Sequence, residues 1–435
     1  MSDADLSGPM PALRRIGSRG TLLSSRATLI AAVCVVLVAV ALANWIVQIP
    51  GNAAHTDFAA SYASAALFRE GHAAIMFDPA SQAGVLRAAG GGASATTSPA
   101  ALTPAAILVL VPFTSLPLWL ASLLWSLLQV VLLGLAALVA TRAAPWPART
   151  SRSTRAIVAV AAMCGGGTLM LLPLNQWDGV AAAALALTYA DLRQGHDHRA
   201  MLWLTVGLLV GKPHLGIGIA LFLVARRPLS IISGVIAAAV VGGMTILLVP
   251  LAAIGQWVGT IVHVSGLYPA SSTIGMSGLV GSFLGAGATS TALGYALAAA
   301  ASLGCVVLGR QARNRLRGHA TGMDPLFLGV TLLSLLIAPH VFPYDLVLLI
   351  PGFIGCVAWA TAGDAGASWP GTRALFALGA WATVALICFA MISPPGSYRP
   401  IVLLPMLLLG CALACIAAAR QQQRVRFRVG DTYST

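Results

Sequence analysis

Long apolar stretches recur from about residue 27 to about residue 419 of this 435-residue chain. A helix needs roughly 20 consecutive apolar residues to cross the hydrocarbon core of a bilayer. A membrane β-barrel would show short segments of alternating hydrophobicity instead, and a run such as residues 28–47 does not alternate. Only 9% of the residues are charged, against about a quarter in a soluble domain. The sequence therefore predicts an all-α polytopic membrane protein.

The formal net charge of +13 comes almost entirely from arginine, because Lys212 is the only lysine. Arginine is enriched in the cytoplasmic loops of membrane proteins, so the charge predicts topology rather than a nucleic-acid partner. With the basic clusters inside, the chain has about twelve transmembrane helices and two cytoplasmic termini. Heavy use of Arg, Ala and Gly favours a bacterial inner membrane. The predicted parts are a tail (1–26), a transmembrane domain (27–419) and a basic tail (420–435).

Two long loops are predicted on the outer face, over about residues 50–103 and about 251–288. The first is expected to contain an interfacial helix from about Phe58 to Glu70. The apolar segment over about residues 105–141 is too long for one crossing. Pro112 and Pro117 predict a short outer helix followed by the true span, since proline cannot continue the hydrogen bonding of a helix.

The segment around Gly211-Lys-Pro-His214 allows two topologies. Arg199 and the pair Arg226–Arg227 flank about 26 residues that would ordinarily form one helix. One crossing would put these basic groups on opposite faces of the membrane. Two half-length helices would keep both ends inside and put their tip in the outer half of the bilayer, as in the broken helices that build sites in membranes. A single helix kinked at Pro213 is the alternative, and the sequence leaves both open.

Polar residues of the predicted transmembrane domain fall mostly at or near its outer face, whereas the cytoplasmic loops hold arginine but little else. Ionisable groups at membrane depth are costly and mark functional sites by default. The candidates come from segments far apart in sequence, as a pocket assembled between helices requires. They are Asp57, Glu70, Asn175, Asp178, Lys212, His214, His263, His340 and Asp345.

Asp57 and Lys212 suggest a transfer reaction from a lipid phosphate. A carboxylate at the outer surface can act as a general base on an acceptor hydroxyl, although Asp57 can equally cap the interfacial helix. Lys212 suits an anionic group such as phosphate, although it can also be a snorkelling or paired charge. A base and a cation together would deprotonate the acceptor and stabilise the departing phosphate.

Four further residues are candidates for the site, and His214, His263 and Asp345 are weaker ones. His340 and Tyr344 can donate hydrogen bonds to a phosphate or a sugar, although a histidine beside a proline is often structural. Asp178 can orient a substrate or cap a helix, and Arg69 is a further candidate phosphate ligand. No cluster has the spacing of a metal site, so neither a metal nor a cofactor is expected.

Short motifs follow one another in a characteristic order. They are Asp57-Phe58 with Tyr62, Gly71 and Phe77-Asp78; Thr103-Pro104 with Pro112 and Leu116-Pro117; Asn175-Gln176-Trp177-Asp178; Gly211-Lys212-Pro213; and Ala338-Pro339-His340 with Tyr344-Asp345. In this order and spacing, from about Asp57 to about Pro351, the chain resembles glycosyltransferase family 87. That family is the polyprenol-phosphate-mannose-dependent mannosyltransferase group of the GT-C membrane enzymes.

The resemblance implies a GT-C-type fold and inverting transfer of a sugar, with mannose the leading choice, from a polyprenyl-phosphate donor. The acceptor would be a hydroxyl of a glycan or glycolipid at the periplasmic face, with membrane lipids around the enzyme. Asp57 inherits the role of base, and Lys212 and His340 match positions expected to engage the donor phosphate. The substrate-binding residues expected from the motifs are Tyr62, Asn175, Gln176, Asp178 and Tyr344.

Two other classes of protein are compatible with the topology. A transporter or flippase of a lipid-linked or anionic substrate should carry polar residues on both sides of the membrane midplane, whereas here they are predicted on one side. A membrane scaffold explains the helices but not the clustering of polar residues. The sequence therefore favours the glycosyltransferase.

Overall fold

The computed structural model describes residues 43–90, 102–267, 273–285, 287–315, 322–362 and 403–432, together with residues 32, 36, 39 and 40. All the regular elements of these residues are helical. The predicted tail 1–26 and most of the predicted first crossing lie outside them. Residues 43–52 are helical. The later α-helices are α1 (Asp57–Arg69), α2 (Pro79–Ala88), α3 (Pro104–Leu110), α4 (Leu118–Ala143), α5 (Arg152–Met163), α6 (Gly166–Leu174), α7 (Asp178–Arg193), α8 (Asp197–Val210), α9 (Ile217–Arg226), α10 (Ser230–Leu248), α11 (Leu251–Leu267), α12 (Met276–Leu284), α13 (Ala288–Arg315), α14 (Met323–Ile337), α15 (Ile350–Thr361) and α16 (Leu403–Thr432).

Several of these helices have the length and composition of membrane spans. Within the described residues, four apolar helices are long enough to cross a bilayer: Leu118–Ala143, Ser230–Leu248, Ala288–Arg313 and Pro343–Thr361. The bent pair α5 and α6 makes a fifth if it crosses as one span. The helical membrane class is therefore confirmed, whereas the count of about twelve helices and the GT-C fold stay predictions.

The predicted break in the overlong segment 105–141 is confirmed. α3 ends at Leu110, a 3-10 turn covers Val111–Ser115, and α4 begins directly after Pro117. Proline fixes its own φ and lacks an N–H, so Pro112 and Pro117 suit the first positions of new helical segments and interrupt the old one. α4 then continues for 26 residues as an apolar helix.

The segment around Lys212 turns back on itself. Asp197, at the start of α8, forms an ion pair with Arg226, at the end of α9, with 3.3 Å between Oδ1 and Nε. In one continuous helix these residues would lie about 43 Å apart at 1.5 Å per residue. Both ends of the segment therefore lie together and its tip, residues 211–214, lies at the far end. The structure selects the broken hairpin over the kinked single helix.

Helix α1 has nearly the predicted bounds but a different environment. An interfacial helix should bury one face, whereas every residue from Phe58 to Leu67 is buried. The hydroxyl of Tyr62 donates to the Leu116 carbonyl at 2.8 Å, and Gln82 of α2 donates to the Ser64 hydroxyl at 2.9 Å. The segment predicted as an outer loop is thus packed into the protein.

An aromatic cluster joins α1 to α4 and to the turn before α7. The ring of Trp125 lies against Phe58 at 6.0 Å, Phe113 at 5.7 Å and Trp177 at 4.4 Å between centroids. Aromatic pairs at such distances stabilise a structure beyond the area that they bury. Because Phe58 and Trp177 directly follow Asp57 and Gln176, this packing brings those two polar residues together.

Helices α7 and α8 approach closely where α8 carries a glycine. A Cβ atom added at Gly207 would lie 2.1 Å from the Cβ atom of Ala184, and such small residues allow close packing of membrane helices. Gly207→Ala is therefore expected to lower the thermal unfolding midpoint of the purified protein, at a cost of about 1–3 kcal/mol. Adding Ala184→Gly should recover most of this loss, and a double variant no more stable than Gly207→Ala would contradict the close approach of the two helices at this point.

Candidate active site

Lys212 lies at the centre of a buried ionic cluster. Its Nζ atom donates to Asp178 Oδ2 at 3.0 Å and to Asp345 Oδ1 at 2.8 Å. Both carboxylates are buried, and the lysine side chain is 12% exposed. The second oxygen of Asp345 accepts the Phe342 backbone N–H at 2.7 Å. Lys212 is thus a paired charge, one of the two possibilities that the sequence left open.

The tip of the broken hairpin is also joined to the loop after α14. The Lys212 ammonium lies 4.3 Å from the centroid of the Tyr344 ring, which stacks on Phe342 at 5.4 Å. A cation over an aromatic face is attracted by the ring quadrupole. His214, at the same tip, lies beside the backbone of His340. Three segments distant in sequence therefore converge, as predicted for a pocket built between helices.

Asn175 closes α6 and anchors the turn that leads into α7. It has φ 56°, the left-handed conformation that asparagine tolerates better than most residues. The side chain is fully buried: Oδ1 accepts the Ser126 hydroxyl at 2.8 Å, and Nδ2 donates to Ser122, to its carbonyl at 3.0 Å and its Oγ at 2.7 Å. These contacts support a positioning role rather than contact with substrate.

Asp57 stands at the first position of α1, beside this turn. Its Oδ2 atom accepts a hydrogen bond from Gln176 Nε2, while Thr56 occupies the N-cap position. The residue is open to solvent on one side, and protein surrounds its carboxylate on the others. This partial loss of water raises the pKa of the Asp57 carboxyl, whereas the Lys212 ammonium and the Gln176 amide oppose the rise. A carboxylate with a raised pKa, on a residue that solvent reaches, suits a general base.

Two of the predicted site residues do not reach this cluster. Arg69 ends α1, twelve residues after Asp57 and so about 18 Å further along the helix, where it donates to the Thr114 carbonyl. The Tyr62 hydroxyl is bound to the Leu116 carbonyl. Both residues fix α1 against the segment before α4, and the structure separates Arg69 from the other candidate phosphate ligands.

The expectation that polar groups gather at one end of the helices is wrong. At the end of α7 opposite Asp178, about 20 Å away at 1.5 Å per residue, the Asp324 carboxylate accepts the Tyr189 hydroxyl at 2.6 Å and Arg193 at 2.9 Å. Asp191 pairs there with Arg199 at 3.4 Å. The sequence placed the arginines at this end but missed the carboxylates that neutralise them.

Asp345 was underestimated by the sequence, which ranked it below Asp178 although both pair with Lys212. The signal that could have found it is the pair Tyr344-Asp345, which is part of the motif order. Among the residues that the structure describes, no three His, Cys, Asp or Glu side chains gather as metal ligands would. Chemically, the cluster offers the carboxylate of the exposed residue Asp57 near a buried ammonium that has two counter-ions.

Fold and site define a class: a helical membrane protein with a polar site assembled where its helices break. The family model described as glycosyltransferase family 87 matches residues 103–339. This is more than half of the chain, so the chain belongs to that family and is a glycosyltransferase. The match includes the turn 175–178 and Lys212, whereas Asp57 and Asp345 lie outside it. No curated protein and no solved structure matches the chain.

Proposed function

We propose that this protein is an inverting glycosyltransferase that moves a sugar, mannose in the first instance, from a polyprenyl-phosphate donor to an acceptor hydroxyl. The observation that carries the proposal is the carboxylate of the solvent-exposed residue Asp57, which is hydrogen-bonded to Gln176 beside the Lys212 cluster. Family membership favours sugar transfer over transport of the lipid. The distribution of polar groups does not distinguish the two functions, because buried charges lie at both ends of the helices.

In the proposed step Asp57 takes the proton of the acceptor hydroxyl. The acceptor oxygen forms a bond to the anomeric carbon while the bond from that carbon to the donor phosphate breaks. The lipid phosphate leaves with the electron pair of that bond. Attack opposite the leaving phosphate inverts the anomeric centre, and one base is enough for such a single displacement.

Lys212 and His340 are proposed to engage the donor phosphate. Since the Lys212 ammonium already holds two carboxylates, it would exchange one of them for a phosphate oxygen when the donor binds. Asp178 and Tyr344 would act on the substrate through this same ammonium, which both contact. Arg69 is left out of the proposal because of its distance along α1.

We place the reaction at the periplasmic face of a bacterial inner membrane. The support is the arrangement of charge: Arg193, Arg199 and Arg226 lie at the end of the helices opposite the Lys212 cluster. Arginine is enriched on the cytoplasmic side of membrane proteins. The site would then open to the periplasmic side.

The donor is identified by transfer assays with purified protein in nanodiscs. Radiolabelled polyprenyl-phosphate mannose, glucose and arabinofuranose would each be offered with a mixed lipid extract as acceptor, beside nucleotide-sugar donors. We expect a labelled product from the mannosyl lipid, with its anomeric configuration inverted. Transfer from a nucleotide sugar alone would overturn the donor class, and retention of configuration would overturn the single displacement.

A further inference from the structure

Gln176 contacts the proposed base directly. We propose that it is a positioning residue, which fixes the Asp57 carboxylate through Oδ2 and leaves Oδ1 to take the acceptor proton. The resemblance of the motifs implied substrate binding for Gln176, whereas the structure gives its amide a protein partner. The inference rests on the proposed role of Asp57 as base.

The backbone around Gln176 is held on both sides. Before it, Asn175 is tied to α4 by its three side-chain hydrogen bonds. After it, the Trp177 ring packs on Trp125 at 4.4 Å. The Gln176 N–H itself donates to the Leu171 carbonyl at 3.2 Å, and the residue is 5% exposed. With so little freedom, its amide group can hold a carboxylate in one orientation.

An amide suits this task better than a charged donor. The amide N–H orients the carboxylate without taking or giving a proton, whereas an ammonium bound to the base would strongly favour its charged form and weaken it as a proton acceptor. The only lysine of the chain is held instead by Asp178 and Asp345. The two carboxylates thereby keep the Lys212 ammonium engaged away from Asp57, and Gln176 supplies the hydrogen bond in its place.

The test compares Gln176→Leu and Gln176→Glu with Gln129→Leu. Gln129 is a matched control: it is a buried glutamine of α4 whose Oε1 accepts the Gly179 N–H at 2.9 Å, and no hydrogen bond joins it to Asp57 within the described structure. Initial rates with the mannosyl lipid would be measured from acidic to alkaline pH, with KM for donor and acceptor determined at the optimum.

We expect kcat of Gln176→Leu to fall by about 10²-fold, the loss that a small misplacement of a catalytic group can cause, with both KM values nearly unchanged. The Gln176 hydrogen bond lowers the pKa of Asp57. Its removal should therefore move the acidic limb of the pH profile to higher pH, because the base works only above its pKa. The added carboxylate of Gln176→Glu should move the limb further still, and Gln129→Leu should leave it in place.

Each other outcome overturns a distinct statement. A raised acceptor KM with an unmoved acidic limb would make Gln176 a substrate ligand. Loss of kcat with an unmoved limb and a lowered unfolding midpoint, as in Gln129→Leu, would make it merely structural. If Asp57→Asn itself retains activity, the proposed base fails, and the inference about Gln176 fails with it.

Discussion

Replacing Asp57 with asparagine is expected to reduce sugar transfer by about 10²–10⁴-fold, the contribution typical of a positioned general base. Asparagine has the same shape and keeps an oxygen that can accept the hydrogen bond of Gln176, so the fold should persist. What it lacks is a group that can take the acceptor proton. The rate would be measured with the purified variant in nanodiscs, with the unfolding midpoint recorded beside it.

Asp78 supplies the matched control for this substitution. It is another carboxylate of the same part of the chain, where it caps α2 by accepting the Ser81 N–H at 2.8 Å and the Ser81 hydroxyl at 2.6 Å. Asparagine is almost as good an N-cap as aspartate, so Asp78→Asn should keep both stability and transfer. An Asp57→Asn enzyme as active as Asp78→Asn would refute the assignment of the base.

Lys212→Met is expected to have the largest effect on stability. It would leave Asp178 and Asp345 buried without their shared counter-ion, and breaking a buried ion pair by removing one partner costs about 3–5 kcal/mol. Unfolding midpoints of the purified variant in detergent measure this loss. A variant as stable as the wild type would show that the cluster is solvated or unpaired in the working enzyme.

A triple variant separates the structural role of Lys212 from its proposed role in donor binding. Lys212→Met combined with Asp178→Asn and Asp345→Asn removes the whole set of charges, so the triple variant should regain much of the stability lost by Lys212→Met alone. If Lys212 binds the donor phosphate, the KM for the lipid donor should stay raised about tenfold or more in the triple variant, even though its stability is regained. Loss of a charge-assisted hydrogen bond predicts an effect of this size. Recovery of the wild-type donor KM would leave Lys212 only as a counter-ion.

From the sequence, candidate site residues could be named but not the contacts that each of them makes. The motifs named Asn175, Gln176 and Asp178 together because they are consecutive, and they do lie beside the cluster. The partner of each side chain could not be predicted, because the three side chains point in different directions. Asn175 contacts α4, Gln176 contacts Asp57 and Asp178 contacts Lys212. Which way consecutive side chains point after a left-handed residue depends on the turn itself.

By itself, the sequence determined the helical membrane class, the break at Pro112 and Pro117, and the family resemblance. These follow from hydrophobicity, proline and motif order, which are properties of short stretches of chain. Only the tertiary structure decided that Lys212 pairs with Asp345, 133 residues away, and that α8 and α9 form a hairpin. Charges scattered singly along apolar helices have many possible partners. Desolvation in a packed interior makes pairing obligatory, but the packing of the helices alone selects the pairs.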